Sequence, residues 1–209
     1  MGSRGHLVDR VGAGDRYGGG AGLMAHVRAG VGLHGEWKVE ARRPFFNRQT
    51  GIWENRLIWV EEWGNIVVNQ GLNHLLDVHF HAATQITTWY LALLGSSAGS
   101  PTATSTYQNF LSSGNNEVVA YDEAARQAFV EGAPSGQSID NVGNEAVFTI
   151  SANGTTIGGV ALVSDSTKND NGAGPFMYSA GAFSAGDKTI DDDDTLTVTV
   201  TLTAADDGA

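Results

Sequence analysis

Residues 195–203 read Thr-Leu-Thr-Val-Thr-Val-Thr-Leu-Thr, apolar at every even position and threonine at every odd one. A helix would scatter these residues around its axis, whereas an extended strand sorts them onto two faces. One face suits a core, and the threonine face is left for water or a partner, as in an antiparallel sheet covered on one side. Other segments repeat the pattern. Trp37, Val39 and Ala41 alternate with polar residues, Pro44 and then Asn47-Arg48-Gln49-Thr50-Gly51 supply a break and a turn, and residues 52–63 return as the second strand of a hairpin. Ala146, Phe148 and Ile150 alternate, and Asn153-Gly154 predicts a hairpin turn into residues 155–164, whose stretch 158–163 suits a strand buried on both faces. Residues 87–94 and 176–183 read as further strands, residues 95–105 as a loop, and residues 117–131 lean towards strand.

One segment has helical spacing. Leu72, Leu75, Leu76 and Phe80 form a stripe after Asn69, a candidate N-cap, so a helix is expected from Gln70 to about His81. In projection His79 falls on the apolar side, and His74, Asp77 and His81 on the opposite one. Many short strands separated by turns, with one helix, predict an all-β fold: a jelly-roll-like β-sandwich with one flanking helix and an extended N-terminal arm. Residues 36–209 form the single sandwich domain. Residues 1–35 hold 11 glycines and little apolar periodicity, the composition of a flexible arm. The alternative for this stretch is sequence translated ahead of a start at Met24.

The charge is uneven. Residues 1–50 carry eight basic and four acidic side chains, a net of +4, whereas residues 51–209 carry four and 19, a net of −15. An acidic body repels phosphates, which disfavours nucleic acid as a direct partner. The sequence holds no cysteine and no apolar run of the roughly 20 residues a membrane helix needs. Gly12-Ala13-Gly14-Asp15-Arg16-Tyr17-Gly18 lacks the strand and helix that aim amides at a phosphate. His74 and His81 stand two turns apart, roughly 10 Å along an axis, too far to share a metal ion. Asp191-Asp192-Asp193-Asp194 offers carboxylates that calcium accepts, but consecutive residues point away from one centre. Glu61 and Glu62 fall on opposite strand faces, which excludes a facing acid/base pair, and Glu54 has no partner carboxylate in view. Asn153-Gly154-Thr155 matches a glycosylation acceptor, but a hairpin turn accounts for it. No catalytic residue, cofactor or metal site is assigned from these patterns.

Gly32-Leu33-His34-Gly35-Glu36-Trp37-Lys38-Val39-Glu40, Trp63-Gly64-Asn65-Ile66-Val67-Val68-Asn69-Gln70-Gly71-Leu72, Trp89-Tyr90-Leu91-Ala92-Leu93-Leu94, Gly158-Gly159-Val160-Ala161-Leu162 and Thr195-Leu196-Thr197-Val198-Thr199 carry a resemblance over residues 32–203. In these segments the chain resembles small tailed-bacteriophage virion proteins, a loose class of capsid decoration or cement proteins and tail components. The resemblance implies no active site. The expectation is a virion protein on the capsid surface that stabilises junctions between major capsid subunits. Its partners would be the major capsid protein and neighbouring copies of itself in a homo-oligomer. A tail connector or fibre-associated adaptor is the alternative, and a host-glycan-binding sandwich using Trp53, Trp59 or Trp63 is another. Arg10, Arg16 and Arg28 of the arm, with Arg42, Arg43 and Arg48, are the residues expected to meet an acidic partner surface.

Overall fold

The computed structural model describes residues 31–96, 99–111 and 117–206. Residues 1–30 of the expected arm, with Arg10, Arg16 and Arg28, lie outside the described residues, and residues 31–35 form the start of a strand. The body comprises residues 33–204. It is an all-β, sandwich-like arrangement of antiparallel sheets with a flanking helix, the fold class the patterning predicts.

The first sheet is ordered β2 (Ile52–Gly64), β1 (Val31–Asn47), β13 (Thr195–Asp206), β7 (Ser138–Asp140), with β8 (Ala146–Thr149) also on β13. The second runs β3 (Ile66–Val67), β11 (Met177–Ala182), β10 (Gly159–Val163), β4 (Trp89–Leu94), β5 (Glu117–Val118), with β6 (Gln127–Phe129) on β4. A small pair joins β12 (Lys188–Ile190) to β9 (Thr155–Ile157). Trp37, Val39 and Ala41 of β1 and Leu196, Val198 and Val200 of β13 meet Leu91, Leu93, Val160 and Leu162 of the second sheet in the main core. Leu196, Val198 and Val200 are therefore interior, Leu202 is half-buried, and the threonines line the outer face.

The second sheet has apolar side chains on its other face too. Ala92, Leu94, Ala161, Val163, Met177 and Ala180 pack there with Tyr107, Phe110 and Leu111 of the short helix α2 (Tyr107–Leu111). This second layer explains the unbroken apolar run of β10, buried at every position. Sequence periodicity misses α2, which falls just beyond the expected loop.

Three local expectations are corrected. Pro44 does not break β1 but lies within it opposite Asn55. Thr195, the first residue of β13, donates its hydroxyl to the Arg42 carbonyl at 3.5 Å, so beyond Arg43 the strand pairs with β2 and a missing N–H interrupts no second ladder. The Asn153-Gly154 turn has the expected positive φ at Gly154 (72°), yet it links different sheets: β8 pairs with β13, and β9 with β12. Phe148, Ile150 and Ile157 all reach the same core, which drives this change of layer.

The third correction concerns the helix α1 (Asn69–Phe80). Val68, not Asn69, is its N-cap, and no side chain caps it. Its buried residues are Gly71 and His74; His79 is exposed, as are Leu76 and Phe80, the latter 84%. A Cβ on Gly71 would lie 2.5 Å from the Tyr178 carbonyl oxygen, so glycine lets α1 rest directly on β11. That close approach turns Gly71 inward, with His74 one turn on, against Trp89 and Phe176.

Arg126 fastens the segments that have little ladder of their own. Its Nε and Nη2 donate to the two oxygens of Glu117 at 2.7 Å each, Nη1 to the Tyr107 hydroxyl (2.6 Å) and the Asp165 carbonyl (2.9 Å), and Nη2 to the Asp170 carbonyl (3.1 Å). All five guanidinium N–H groups are satisfied in a site shielded from water. Arg126→Met leaves the Glu117 carboxylate buried and unpaired, and the expected loss is about 3–5 kcal/mol. Chemical denaturation of the two proteins checks this; a loss under about 1 kcal/mol would contradict the assignment.

Candidate functional site

Past Arg43, β1 and β2 leave the sheet as a two-stranded ribbon. The register slips between Ala41 and Arg42, so that Ala41 faces Trp59 and Arg42 faces Leu57, with Ile58 the extra residue. Residues 43–47 and 52–56 then pair alone, a projection of roughly 15 Å at the rise of a strand. The turn at its end is built from the sequence Asn-Arg-Gln-Thr-Gly. The Asn47 side-chain oxygen accepts from the Gln49 and Thr50 amides, the Gly51 amide donates to the Asn47 carbonyl, and Gly51 supplies the positive φ (71°). Asn47 Nδ2 also donates to Glu54 across the strands.

The ribbon is unusually apolar for an exposed element. Phe45, Phe46, Ile52, Leu57 and Ile58 are exposed, and Trp53 is exposed to 68%. Phe46 and Trp53 lie directly opposite each other, ring centroids 5.5 Å apart, which orders both rings before any partner arrives. Monomers rarely expose contiguous apolar patches beyond about 300–600 Å².

Arginines surround these rings, each placed differently. Arg42 lies on the outer sheet face, 3.1 Å from Glu40. Arg43 is held at the root of the ribbon by the acidic run: its Nε and Nη2 donate to the two oxygens of Asp194 (2.7 and 2.6 Å), and Nη2 to Asp191 (2.7 Å). Arg48 sits exposed in the turn. Arg56, opposite Arg43, is a further cation that the sequence reading omitted. Arg48 and Arg56 have no ionic partner among the described residues. The ribbon from 42 to 57 thus holds four arginines and one acid, a net of +3, on a body whose other residues from 33 to 204 carry four basic and 18 acidic side chains.

The other sequence candidates have structural partners. The acidic turn wraps a cation already present: Asp194, fully buried, binds Arg43 and accepts from the Asp191 amide, and Asp191 accepts from Gly154. Glu61 points inward and Glu62 outward, as their adjacency requires. Burial would raise the Glu61 carboxyl, but the Ala185 amide, the Ser184 hydroxyl and Lys188 together hold it below the usual carboxylate range. His81 lies 3.6 Å from Asp77 at the exposed end of α1. Among the described residues no group of three or more His, Asp or Glu side chains is placed to hold a metal ion. Of the three tryptophans considered for sugar stacking, Trp63 is buried and Trp59 half-buried in the aromatic core with Phe183, and Trp53 is exposed.

No protein family, curated protein or solved structure matches the chain.

Two measurements follow from these contacts. Arg43→Ala strips the buried Asp194 of its charged donor and should cost about 1.5–3 kcal/mol, read from the shift of a urea midpoint. Because the folded Glu61 carboxyl is depressed, its stabilisation is complete above the ordinary carboxylate range and is lost as pH falls through the folded value. Glu61→Gln should therefore flatten the acid limb of a plot of thermal midpoint against pH; an unchanged limb would show that other carboxylates carry it.

Proposed function

We propose that this chain is a structural protein of a tailed-bacteriophage virion, a decoration protein that docks at junctions between major capsid subunits through the ribbon. The observation that carries the reading is the exposed ribbon with its paired Phe46 and Trp53 and with Arg48 and Arg56, which have no ionic partner among the described residues. Trp and Arg are enriched at the energetic hot spots of protein interfaces, and aromatic residues including Phe are enriched in interface composition. They sit here on paired strands with Phe46 and Trp53 already in contact, which lowers the ordering entropy that opposes docking. The resemblance over residues 32–203 supplies the virion context. The mechanism is mechanical: each copy that binds only the assembled lattice stabilises that state by its binding free energy.

The test separates filled heads, tails and soluble protein on a density gradient and quantifies the chain in each by mass spectrometry. Co-migration with heads at copy numbers near that of the capsid subunit is the expected result. A few copies travelling with tails would move the assignment to a tail adaptor, and a wholly soluble chain would end the virion reading. Trp53→Ser should weaken particle binding by about 30-fold or more, the effect of losing one interface hot spot.

A further inference from the structure

A second apolar feature lies far from the ribbon. Leu33, Leu75, Pro134, Ile139, Tyr178 and Leu202 line an open groove of about 310 Å³ between α1, the start of β1 and the end of the β7–β13 ladder. Its polar side chains are His34, Gln137, Ser138, Thr203 and the Tyr178 hydroxyl, and no lysine or arginine is among its lining. Asp140 adjoins its lining in sequence, and Asp77 and Glu131 stand two and three positions from it. Clefts from about 300 Å³ upward hold compact organic groups, so this one has room for an indole.

Leu33 and Asn47 lie near opposite ends of one extended strand, 14 residues and roughly 45 Å apart. A ribbon that projects roughly 15 Å cannot fold back over that distance, so no molecule fills its own groove with its own ribbon. The two features do complement each other. One is a convex, aromatic and cationic tip; the other is a concave, apolar recess without cations, flanked by carboxylates. The charge division favours the same pairing, because a +3 ribbon on a strongly acidic body is drawn to the body of another copy.

We propose that the ribbon of one copy docks in this groove of a second copy, seating the Phe46–Trp53 pair among Leu75, Tyr178 and Leu202 and bringing Arg48 and Arg56 towards Glu131 and Asp140. The contact is heterologous, since donor and acceptor surfaces differ, and such contacts propagate into rings or filaments rather than closing as a two-fold dimer. This inference rests on reading the ribbon as the docking element, and it names the chain itself as an occupant of the site.

Sedimentation velocity on the full chain alone tests it, with no virion component present, so its outcome is independent of particle binding. The expected result is a mass that rises above 21.9 kDa with concentration. Trp53→Ser at the tip, and Leu75→Glu or Thr203→Lys in the groove, should each weaken association by at least about 30-fold, with thermal midpoints confirming that each variant is folded. Mixing Trp53→Ser with Leu75→Glu should restore a species of twice the monomer mass and nothing larger, because that mixture retains one competent ribbon and one competent groove per pair. A wild-type chain that stays monomeric overturns the proposal. So does a mixture that fails to pair, or an assembly that groove variants leave intact, which would mean tip-to-tip contact. Assembly lost on deleting residues 1–30 but untouched by Trp53→Ser would identify the arm as the occupant instead.

Discussion

The buried guanidinium of Arg126 is the interaction on which one whole side of the molecule depends. β5 and β6 are two and three residues long and pair only with β4, and α2 is little more than one turn. Segments this short cannot hold themselves by ladder or helix hydrogen bonds alone. Arg126 replaces that missing cooperativity with five donors in a fixed plane, reaching β5 through Glu117, α2 through Tyr107 and the 164–176 connection through two carbonyls. The network is closed around it: Tyr107 donates on to Asp170, and Glu117 accepts the Asn169 amide as well. A charge this deeply buried is tolerable because every group it meets is itself satisfied.

The division between what the residues announce and what only packing decides follows from range. The alternation in β13 and β1 was legible because it needs no knowledge of the partner: period two assigns the faces by itself. Strands of two or three residues such as β3, β5, β7 and β12 carry no period to read. The inversion of α1 has a sharper cause. Hydrophobic spacing points to Leu72, Leu75, Leu76 and Phe80, of which the first two are half-buried and the last two exposed, whereas the closest contact is set by an absent side chain at Gly71, which no hydrophobicity measure rewards. The Asn153-Gly154 turn is legible locally but its pairing is not, since turn chemistry specifies a reversal of the chain and says nothing of which strand pairs next.

The ribbon was half visible. A hairpin at residues 36–63 followed from alternation and the Asn-to-Gly turn, but its projection did not, because that depends on β13 beginning only at Thr195. One sign was present: Phe45 and Phe46 are adjacent, and so are Ile52 and Trp53, which puts apolar side chains on both faces of a strand pair. A hairpin covering a core on one side has no use for such doublets. The acidic run shows the converse. Asp191-Asp192-Asp193-Asp194 offers carboxylates to a cation, and the cation that takes two of them is Arg43 of the same chain, 151 residues away from Asp194. The two readings, of Arg43 as an interface cation and of the aspartates as a ligand cluster, are halves of one intramolecular contact.

The placement of β1 between β2 and β13 carries a consequence for load. The ribbon is the continuation of β1 and β2, so a force applied at its tip enters the body along the axis of an interior strand. Tension in that direction moves β1 and the edge strand β2 together and must shear the whole β1–β13 row of backbone hydrogen bonds at once, whereas a pull across the strands would unzip that row bond by bond. The Arg43 clamp sits where the ribbon meets the sheet and ties that root to the turn leading into β13. What protrudes from this protein is therefore anchored as a tenon is anchored, by grain running continuously from tip to interior.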